Sequence, residues 1–579
     1  MPTVNIAAHL TEMARRHPAQ LAVLFPHSRD RAGRTAYTSY SYKRLDEESD
    51  FLAAGLDAIG IGRGVKTVLM VPPSLEFFSL TFALFKAGAV PVLVDPGMGI
   101  KNLGKCLDEA KPEAFIGITK AHIARVLFGW GKRSLKTLVT IGRKLGWGGL
   151  DLNAVSRTGQ QRQSDPSNPA RAWLFAETEA DETGAILFTS GSTGVPKGAV
   201  YSHGNFAAQV SELQRAFGIQ PGEIDLCTFP LFALFAPALG MTAVVPRMDF
   251  TKPARVDPRE INEPIQAFGI NNLFGSPALL NRIGRDLEVR SSILDQSTNW
   301  GQAATSRWTS MRRILSAGAP VSPLILERIT KRLPEGTQVF TPYGATESLP
   351  VAVIGSNEIL GETRHQTDRG AGTCVGRPVA GIEVRIIGIT DEPISEWSDS
   401  LCVPDGQIGE IVVHGPMVTQ QYYSRPDLTA LAKIRDPATG RMRHRMGDVG
   451  YFDPTGRLWF CGRKSHRVVT PERTYFTEPV EGVFNTHEAV FRTALVGVRV
   501  NDRIEPVLCV EREQGPAESK YRVMSKDLLR QELLKLGIRF EHTKAIQTIL
   551  FHANFPVDIR HNSKIFREKL AVWAASQLK

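Results

Sequence analysis

The chain has 579 residues, 42% of them hydrophobic and 22% charged, and a formal net charge of +10. That length exceeds what one hydrophobic core supports, so two or more domains are expected, and the composition argues against disorder. Six scattered cysteines with no Cys-x-x-Cys pair argue against a disulfide framework or a zinc site and suit a reducing cytoplasm, and the N-terminus has no apolar stretch of a secretory signal.

In chain order, "GIGRG" (Gly60–Gly64) precedes a strand rather than following one, so it reads as a helix-ending turn and not as a dinucleotide fingerprint. "VKTVLMV" (Val65–Val71) reads as a buried strand, Ser74–Ala89 as a helix by its apolar spacing, and "VPVLVDP" (Val90–Pro96) as a second strand. That strand–helix–strand unit implies parallel pairing and an α/β fold. From Glu113 to Asp151 no acid intervenes, while Lys120, Arg125, Lys132, Arg133, Lys136, Arg143 and Lys144 fall among Phe128, Trp130 and Trp147. A solvated basic face is one reading of this 120–147 stretch, and peripheral contact with an anionic membrane or an acidic protein is another. Nucleic acid is not expected, because no binding motif accompanies the charge. Polar, proline-bearing Arg157–Arg171 reads as a surface connection.

"LFTSGSTGVPKGAV" (Leu187–Val200) follows an apolar run with glycines, hydroxyl side chains and one lysine. Successive backbone N–H groups in such a turn form a nest for phosphate, and Lys197 adds a point charge. The order Pro196–Lys197–Gly198 does not fit a Walker A loop. Leu226–Pro246 runs without a charge for about the length of a membrane span, but Pro230, Pro237, Pro246 and Gly240 would break a lipid-exposed helix. A buried wall bearing Phe229, Phe232 and Phe235 is expected there, able to receive an apolar ligand. Gly381–Gly388 and Gly406–Gly415 suggest a β-rich layer. After Gly462 the pattern becomes a short α+β unit with helices at Lys526–Leu536 and at the C-terminus.

The phosphate loop does not stand alone. "TSGSTG" joined to "VPKG", "SAGAP" (Ser316–Pro320), "YGATE" (Tyr343–Glu347), "MGDVGYFDPTGRLWFCGR" (Met446–Arg463) and "THEAVFRTALVGV" (Thr486–Val498) occur in the order found in the adenylate-forming superfamily of acyl-CoA synthetases, luciferases and peptide-synthetase adenylation domains. The resemblance covers residues from about 10 to 570. It implies a large N-terminal α/β body, residues 1–463, built of two α/β subdomains and a β-rich layer, and a small mobile α+β lid, residues 464–579. It implies ATP and Mg²⁺. Thr189, Ser190, Gly191, Ser192, Thr193, Gly194 and Lys197 would hold the β- and γ-phosphates. Gly318, Ala319 and Pro320 would line the adenine, with Tyr343, Gly344, Ala345 and Thr346 beside it. Glu347 and Thr193 would bind the metal, and Asp448 and Arg463 the ribose. Lys564, matching the family's mobile lysine, would neutralise charge as a carboxylate attacks the α-phosphorus. Lys564, Glu347 and Lys197 are therefore the expected catalytic residues.

Four departures bear on the second step. Ser465 stands where the hinge is usually Asp or Lys, and Ala233 where His often follows "PLF". Ser563 replaces the glycine before Lys564. "VVTPERTYFTEP" (Val468–Pro479) carries Pro471, Glu472 and Arg473 where glycines normally let backbone approach a thioester-forming centre. With "VDPGMGIKNLGKCLDEAKPEAFIG" and "HNSKIFREKL", this combination is similar to the OleC-type enzymes of bacterial long-chain olefin biosynthesis, a family of β-lactone synthetases. The resemblance implies that a long-chain 2-alkyl-3-hydroxy fatty acid is adenylated and closed by its own 3-hydroxyl, with other olefin-pathway enzymes as partners. A long-chain acyl-CoA or acyl-carrier ligase with an unusual loop stays open as the alternative, as does a non-catalytic relative. His203 in "YSHGN" reads as a structural histidine rather than as a base.

Overall fold

The structure, a computed structural model, describes the chain apart from residues 1–3, 32, 95–97, 166–175, 191–195, 230–234, 294–307, 514–523, 558–564 and 579, and apart from the side chains at 190 and 287–293. The expected strand–helix–strand unit is present as Lys66–Met70, Leu75–Lys86 and Val90–Val94, with the two strands parallel. The helix begins where Ser74 Oγ accepts the Phe77 N–H, and every residue in it except Glu76 is buried. Its one cation, Lys86, is held by Asp46 and Asp50.

This unit lies inside a seven-stranded sheet. In spatial order the strands are Leu150–Asp151, Thr137–Ile141, Ala114–Ile118, Lys66–Met70, Val90–Val94, Thr183–Ser190 and Pro196–Ser202. All neighbours are parallel except the last pair, a hairpin whose tip, residues 191–195, lies outside the described residues. The turn expected at 60–64 is found: the helix Tyr42–Ala58 ends there, with Gly60 at φ +84°.

The reading of Arg157–Arg171 as a surface connection is corrected in its first half. Leu152–Ser164 is a helix, capped by Asp151, whose carboxylate accepts the Ala154 N–H. Its polar residues and Gly159 lower intrinsic helicity. Tertiary packing overrides that: a Cβ on Gly159 would lie 1.8 Å from the Phe51 carbonyl oxygen, and one on Gly55 2.0 Å from that of Val155. Two glycines thus let this helix cross Tyr42–Ala58 at backbone contact. Residues 166–171 lie outside the described ones.

A second sheet has a parallel centre, Thr242–Val244, Ile224–Cys227, Asn272–Phe274, Arg313–Leu315 and Gln338–Ala345, with Leu21–Arg29 parallel beside it. At the turn Thr346–Glu347 the chain reverses into Ser348–Gly355. From there the same sheet continues antiparallel through Thr373–Pro378, Leu458–Arg463, Met442–Phe452, Gly409–His414 and Glu383–Ile387. The expected β-rich layer is the far end of this sheet. The apolar stretch from Leu226 forms two short parallel strands, and no helix among the described residues is long and apolar enough to cross a membrane.

The C-terminal part holds Val490–Val500, Arg503–Arg512 and Thr548–Phe551, covered by the helices Lys526–Ile538 and Arg567–Gln577. The buried apolar clusters of the described residues draw either on residues up to 460 or on residues from 468 onward, never on both. Residues 464–467 connect them and are held by charge. Lys464 lies 3.2 Å from Glu410 and donates to the Thr390 carbonyl, and Arg467 pairs with Asp391. Glu410 is buried and also pairs with buried Arg445.

Candidate active site

The strands that carry the expected motifs converge through three contacts. First, the hairpin register sets Thr189 opposite Lys197 and Ser190 opposite Pro196, so the lysine stands at the base of the loop tip. Second, that hairpin is stitched to the segment before Pro426: the Tyr423 N–H donates to the Gly198 carbonyl, and Ala199 bridges Tyr422. Third, the Thr419 N–H donates to the Glu347 carbonyl, and Tyr201 Oη donates to the Thr346 carbonyl. Glu347 and Lys197 are thereby brought to the same end of both sheets.

Around Glu347 lies a group of buried polar side chains. Tyr422 Oη donates to Glu347 Oε1, while the Tyr422 ring sits between two ammonium groups, Lys197 Nζ at 5.2 Å and Lys433 Nζ at 5.9 Å from its centroid. Lys433 is buried and donates to the Thr419 carbonyl and hydroxyl. Burial pulls its ammonium down to about 7, against the opposing pull of Glu347. His444, also buried, is pulled down to about 3, first by burial and then by Lys433. Burial opposes the charge on Glu347, but His444, the Tyr422 hydrogen bond and Lys433 outweigh it and hold the carboxyl below the usual value. Burial likewise lowers Lys197, with Glu347 opposing. The result is an ionised carboxylate whose Oε2 has no hydrogen bond among the described residues. One such oxygen is what Mg²⁺ takes from a protein when phosphates and water fill the rest of its shell. No group of three or more His, Cys, Asp or Glu able to hold a metal occurs among the described residues.

The second half of the site is Asp448, Tyr343 and Arg463. Tyr343 Oη donates to Asp448 Oδ2 at 2.6 Å, and the Arg463 guanidinium lies 2.9 Å from Oδ1 without the alignment of a hydrogen bond. Asp448 Oδ1 is thus a buried acceptor beside the Arg463 cation, with no hydrogen bond among the described residues. Burial raises Asp448 while Arg463 and Tyr343 pull it down. Tyr343 also packs on Phe460 at 6.0 Å. Ser316–Pro320 leaves the C-terminal end of Arg313–Leu315 beside the strand that bears Tyr343, and Ser316 N–H donates to the Phe340 carbonyl. Gly318 has φ +96°, a backbone shape that favours glycine, and it is exposed together with Pro320, while Ala319 between them is half-buried.

Other expected residues separate more. Phe229 packs on Phe274 and Phe235 on Phe206, both half-buried. Phe232 and Ala233, the loop residues Gly191, Ser192, Thr193 and Gly194, and Ser563 and Lys564 lie outside the described residues. His203 opens the helix His203–Phe217 at the other end of the strand Pro196–Ser202 from the loop, six residues from Lys197 and so about 20 Å away. It is fully buried against Phe85, and neither ring nitrogen has a hydrogen bond among the described residues. Burial pulls it down to about 4 from the usual 6.5. The unfolded chain therefore takes up a proton between pH 6.5 and 4 that the folded chain refuses. Stability present above pH 6.5 is lost as pH falls through that window, by about 3 kcal/mol for this group. His203→Phe should flatten the dependence of urea-unfolding free energy on pH in that window. An unchanged slope assigns the acid sensitivity elsewhere.

The loop that replaces the usual glycines is a hairpin, Val468–Val469 paired with Thr474–Tyr475. Thr470 accepts the Arg473 N–H, and the Arg473 guanidinium lies against Tyr475 and donates to the Glu541 carbonyl. Pro471, Glu472 and Arg473 form its turn. Lys433, His444, Tyr422 and Thr419 were not anticipated from sequence. "LAKIRDPATGRMRHRMGD" has the charge density of a solvated surface, and only the alternation of Arg443, Arg445 and Gly447 hinted at a strand.

Residues 10–423 match the AMP-binding enzyme family. An olefin β-lactone synthetase of Stenotrophomonas maltophilia is 50% identical over 99% of this chain and 98% of its own length, and one of Xanthomonas campestris pv. campestris is 50% identical with the same coverage. A long-chain-fatty-acid–CoA ligase of Salmonella typhimurium is 25% identical over 86% of each chain. The fold is shared with the anthranilate CoA ligase AuaEII, solved with anthranoyl-AMP, at TM-score 0.75 and 18% identity over 100% of this chain and 99% of that one. It is shared too with the amide bond synthetase McbA from Marinactinospora thermotolerans, at TM-score 0.74 and 21% identity over 98% and 99%. With the family match over most of the chain and half of all positions shared along the full length, the chain belongs to the AMP-binding enzyme family, in the branch that contains these olefin β-lactone synthetases.

Proposed function

We propose that the protein activates a long-chain 2-alkyl-3-hydroxy fatty acid with ATP and closes it to a β-lactone, releasing pyrophosphate and AMP. Full-length identity of 50% to two olefin β-lactone synthetases carries this reading, and the hairpin Val468–Tyr475 supports it, since its turn sets Pro, Glu and Arg where a CoA ligase needs glycines. The chain divides at Arg463/Lys464 into a nucleotide-binding body and a lid that bears Lys564.

In the first step a carboxylate oxygen attacks the α-phosphorus and the bond to pyrophosphate breaks. The residues Thr189 to Gly194 and Lys197 grip the β- and γ-phosphates. Tyr343 with Gly318–Pro320 hold the adenine, and Asp448 accepts from the ribose with Arg463 beside it. Glu347, helped by Thr193, would hold Mg²⁺, which would supply charge neutralisation on the phosphates when bound. Lys564 offsets the charge that builds on the α-phosphoryl group. In the second step the substrate's 3-hydroxyl oxygen attacks the acyl carbon, the bond to the AMP oxygen breaks, and the hydroxyl proton passes to the departing phosphate. Nucleophile and electrophile share one molecule, so no second substrate has to be gathered. The half-buried Phe229 and Phe235, with Phe232, are assigned to the acyl chain, and other enzymes of the olefin pathway are the expected partners.

The test is product identity. MgATP and a long-chain 2-alkyl-3-hydroxy acid should give β-lactone and AMP with no requirement for CoA, read by NMR and mass spectrometry. A Pro471→Gly/Glu472→Gly variant should keep lactone formation within about tenfold, the hairpin touching no reacting atom, and should make no thioester from added CoA. A CoA thioester, with no lactone when CoA is withheld, overturns the reading in favour of a ligase.

A further inference from the structure

The acid-free stretch after Glu113 folds into one surface. Its helix, Thr119–Phe128, buries His122 and turns Ile123, Val126 and Leu127 outward at i, i+3 and i+4 spacing. Val126, Leu127 and Phe128 are 55%, 74% and 51% exposed, three consecutive large apolar side chains in water. Gly129 ends the helix at φ +67°, and a tight turn, with Lys132 N–H donating to the Gly129 carbonyl, carries Lys132 and Arg133 just past Phe128. At the other end of the helix, the Thr119 hydroxyl donates to the Arg143 carbonyl, and Trp147 stacks on His122 at 5.1 Å. That places Arg143 and the 50% exposed Leu145 alongside Lys120. Lys120, Lys132, Arg133 and Arg143 have no ion pair among the described residues. The nearby acids lie at the margins: Glu113 is paired with Lys136, Asp151 is held by its capping bond, and exposed Glu76 lines a cleft with Gly142 and Lys144 on the far side of the 142–147 turn.

An exposed apolar stripe framed by unpaired cations and free of acids has one natural counterpart: the interface of an anionic bilayer, where aliphatic and aromatic side chains enter the headgroup boundary and cations meet phosphate. We propose that the helix Thr119–Phe128, with the turns at 129–135 and 142–147, is a docking surface for anionic lipid membrane. The surface is independent of the reaction at the nucleotide site, so it stands or falls apart from the lactone reading. Charge complementarity selects lipid over another copy of the chain, because two such faces would oppose four unpaired cations with four.

The test is sedimentation of the full-length protein with vesicles of phosphatidylcholine alone or mixed equally with phosphatidylglycerol. Binding is expected to the mixed vesicles, to fall with added salt, and to be weak on phosphatidylcholine. Lys132→Ala/Arg133→Ala should weaken it about 30-fold, at roughly the strength of one surface cation each. Leu127→Ser should weaken it about tenfold on either surface charge. Both variants should keep the melting temperature and the ATP–pyrophosphate exchange of the parent, since no active-site residue is altered. No binding of the parent to mixed vesicles overturns the proposal, as does binding that both variants retain. So does self-association that Leu127→Ser abolishes without any vesicle binding, which makes the face a subunit contact.

Discussion

Glu347→Gln is expected to lower kcat/KM for acid-dependent pyrophosphate release by about 10³, the scale of removing one charge that faces developing phosphoryl charge. The carboxamide is nearly isosteric and still accepts from Tyr422, so the fold around it should persist. What changes is charge. The ionised carboxylate is the one acid that Lys197, Lys433 and His444 all face, and Oε2 is its unused oxygen. With glutamine in its place, the site keeps its ammonium groups and loses the ligand type that Mg²⁺ prefers. Activity of the variant should therefore recover in part as Mg²⁺ is raised, while the parent stays saturated. A fall of less than about tenfold, or no response to Mg²⁺, removes Glu347 from the metal site.

Glu410→Gln is expected to cost about 3–5 kcal/mol of stability, because it breaks a buried ion pair from one side. Arg445 and Glu410 are 2% and 1% exposed, so water cannot replace the missing charge. Arg445 would keep its hydrogen bonds to the carbonyls of Thr390, Glu392 and Leu431 but not its counter-ion. Glu410→Leu with Arg445→Met should recover most of the loss, since apolar pairs of similar volume substitute for such bridges. Urea unfolding measures both. A loss below about 1 kcal/mol in the single variant places the pair among interactions that water screens. The same glutamate holds Lys464, directly after Arg463, so the single variant should also loosen the connection between body and lid, seen as faster proteolysis near 464–467.

The parallel sheets were legible because buried strands and the helix Leu75–Lys86 announce themselves by apolar run and period. The helix Leu152–Ser164 was not, since its existence depends on Gly159 and Gly55 permitting a contact with a segment a hundred residues earlier. The polar group around Glu347 was hidden for a related reason. Lys433, Arg443, His444 and Arg445 are buried by strand pairing, Lys433 opposite His444 and Ile434 opposite Arg443, and burial of charge is decided by partners that local sequence does not display. Motif order located Asp448 and Arg463. Their pairing with Tyr343 needed the register of Met442–Phe452 against Leu458–Arg463, which sets Asp448 opposite Arg463.

The turn Thr346–Glu347 joins the parallel and antiparallel halves of one continuous sheet. Tyr343 lies before that turn, and Asp448 and Arg463 lie on strands reached through it, so the residues proposed to hold base, sugar and metal are all carried by a single backbone surface. In the proposed reaction, whatever the segment after Arg463 does, the AMP moiety would not have to be released and regripped between activation and ring closure. It serves as a fixed handle, and the acyl carbon it carries is presented from one place to two successive reactions.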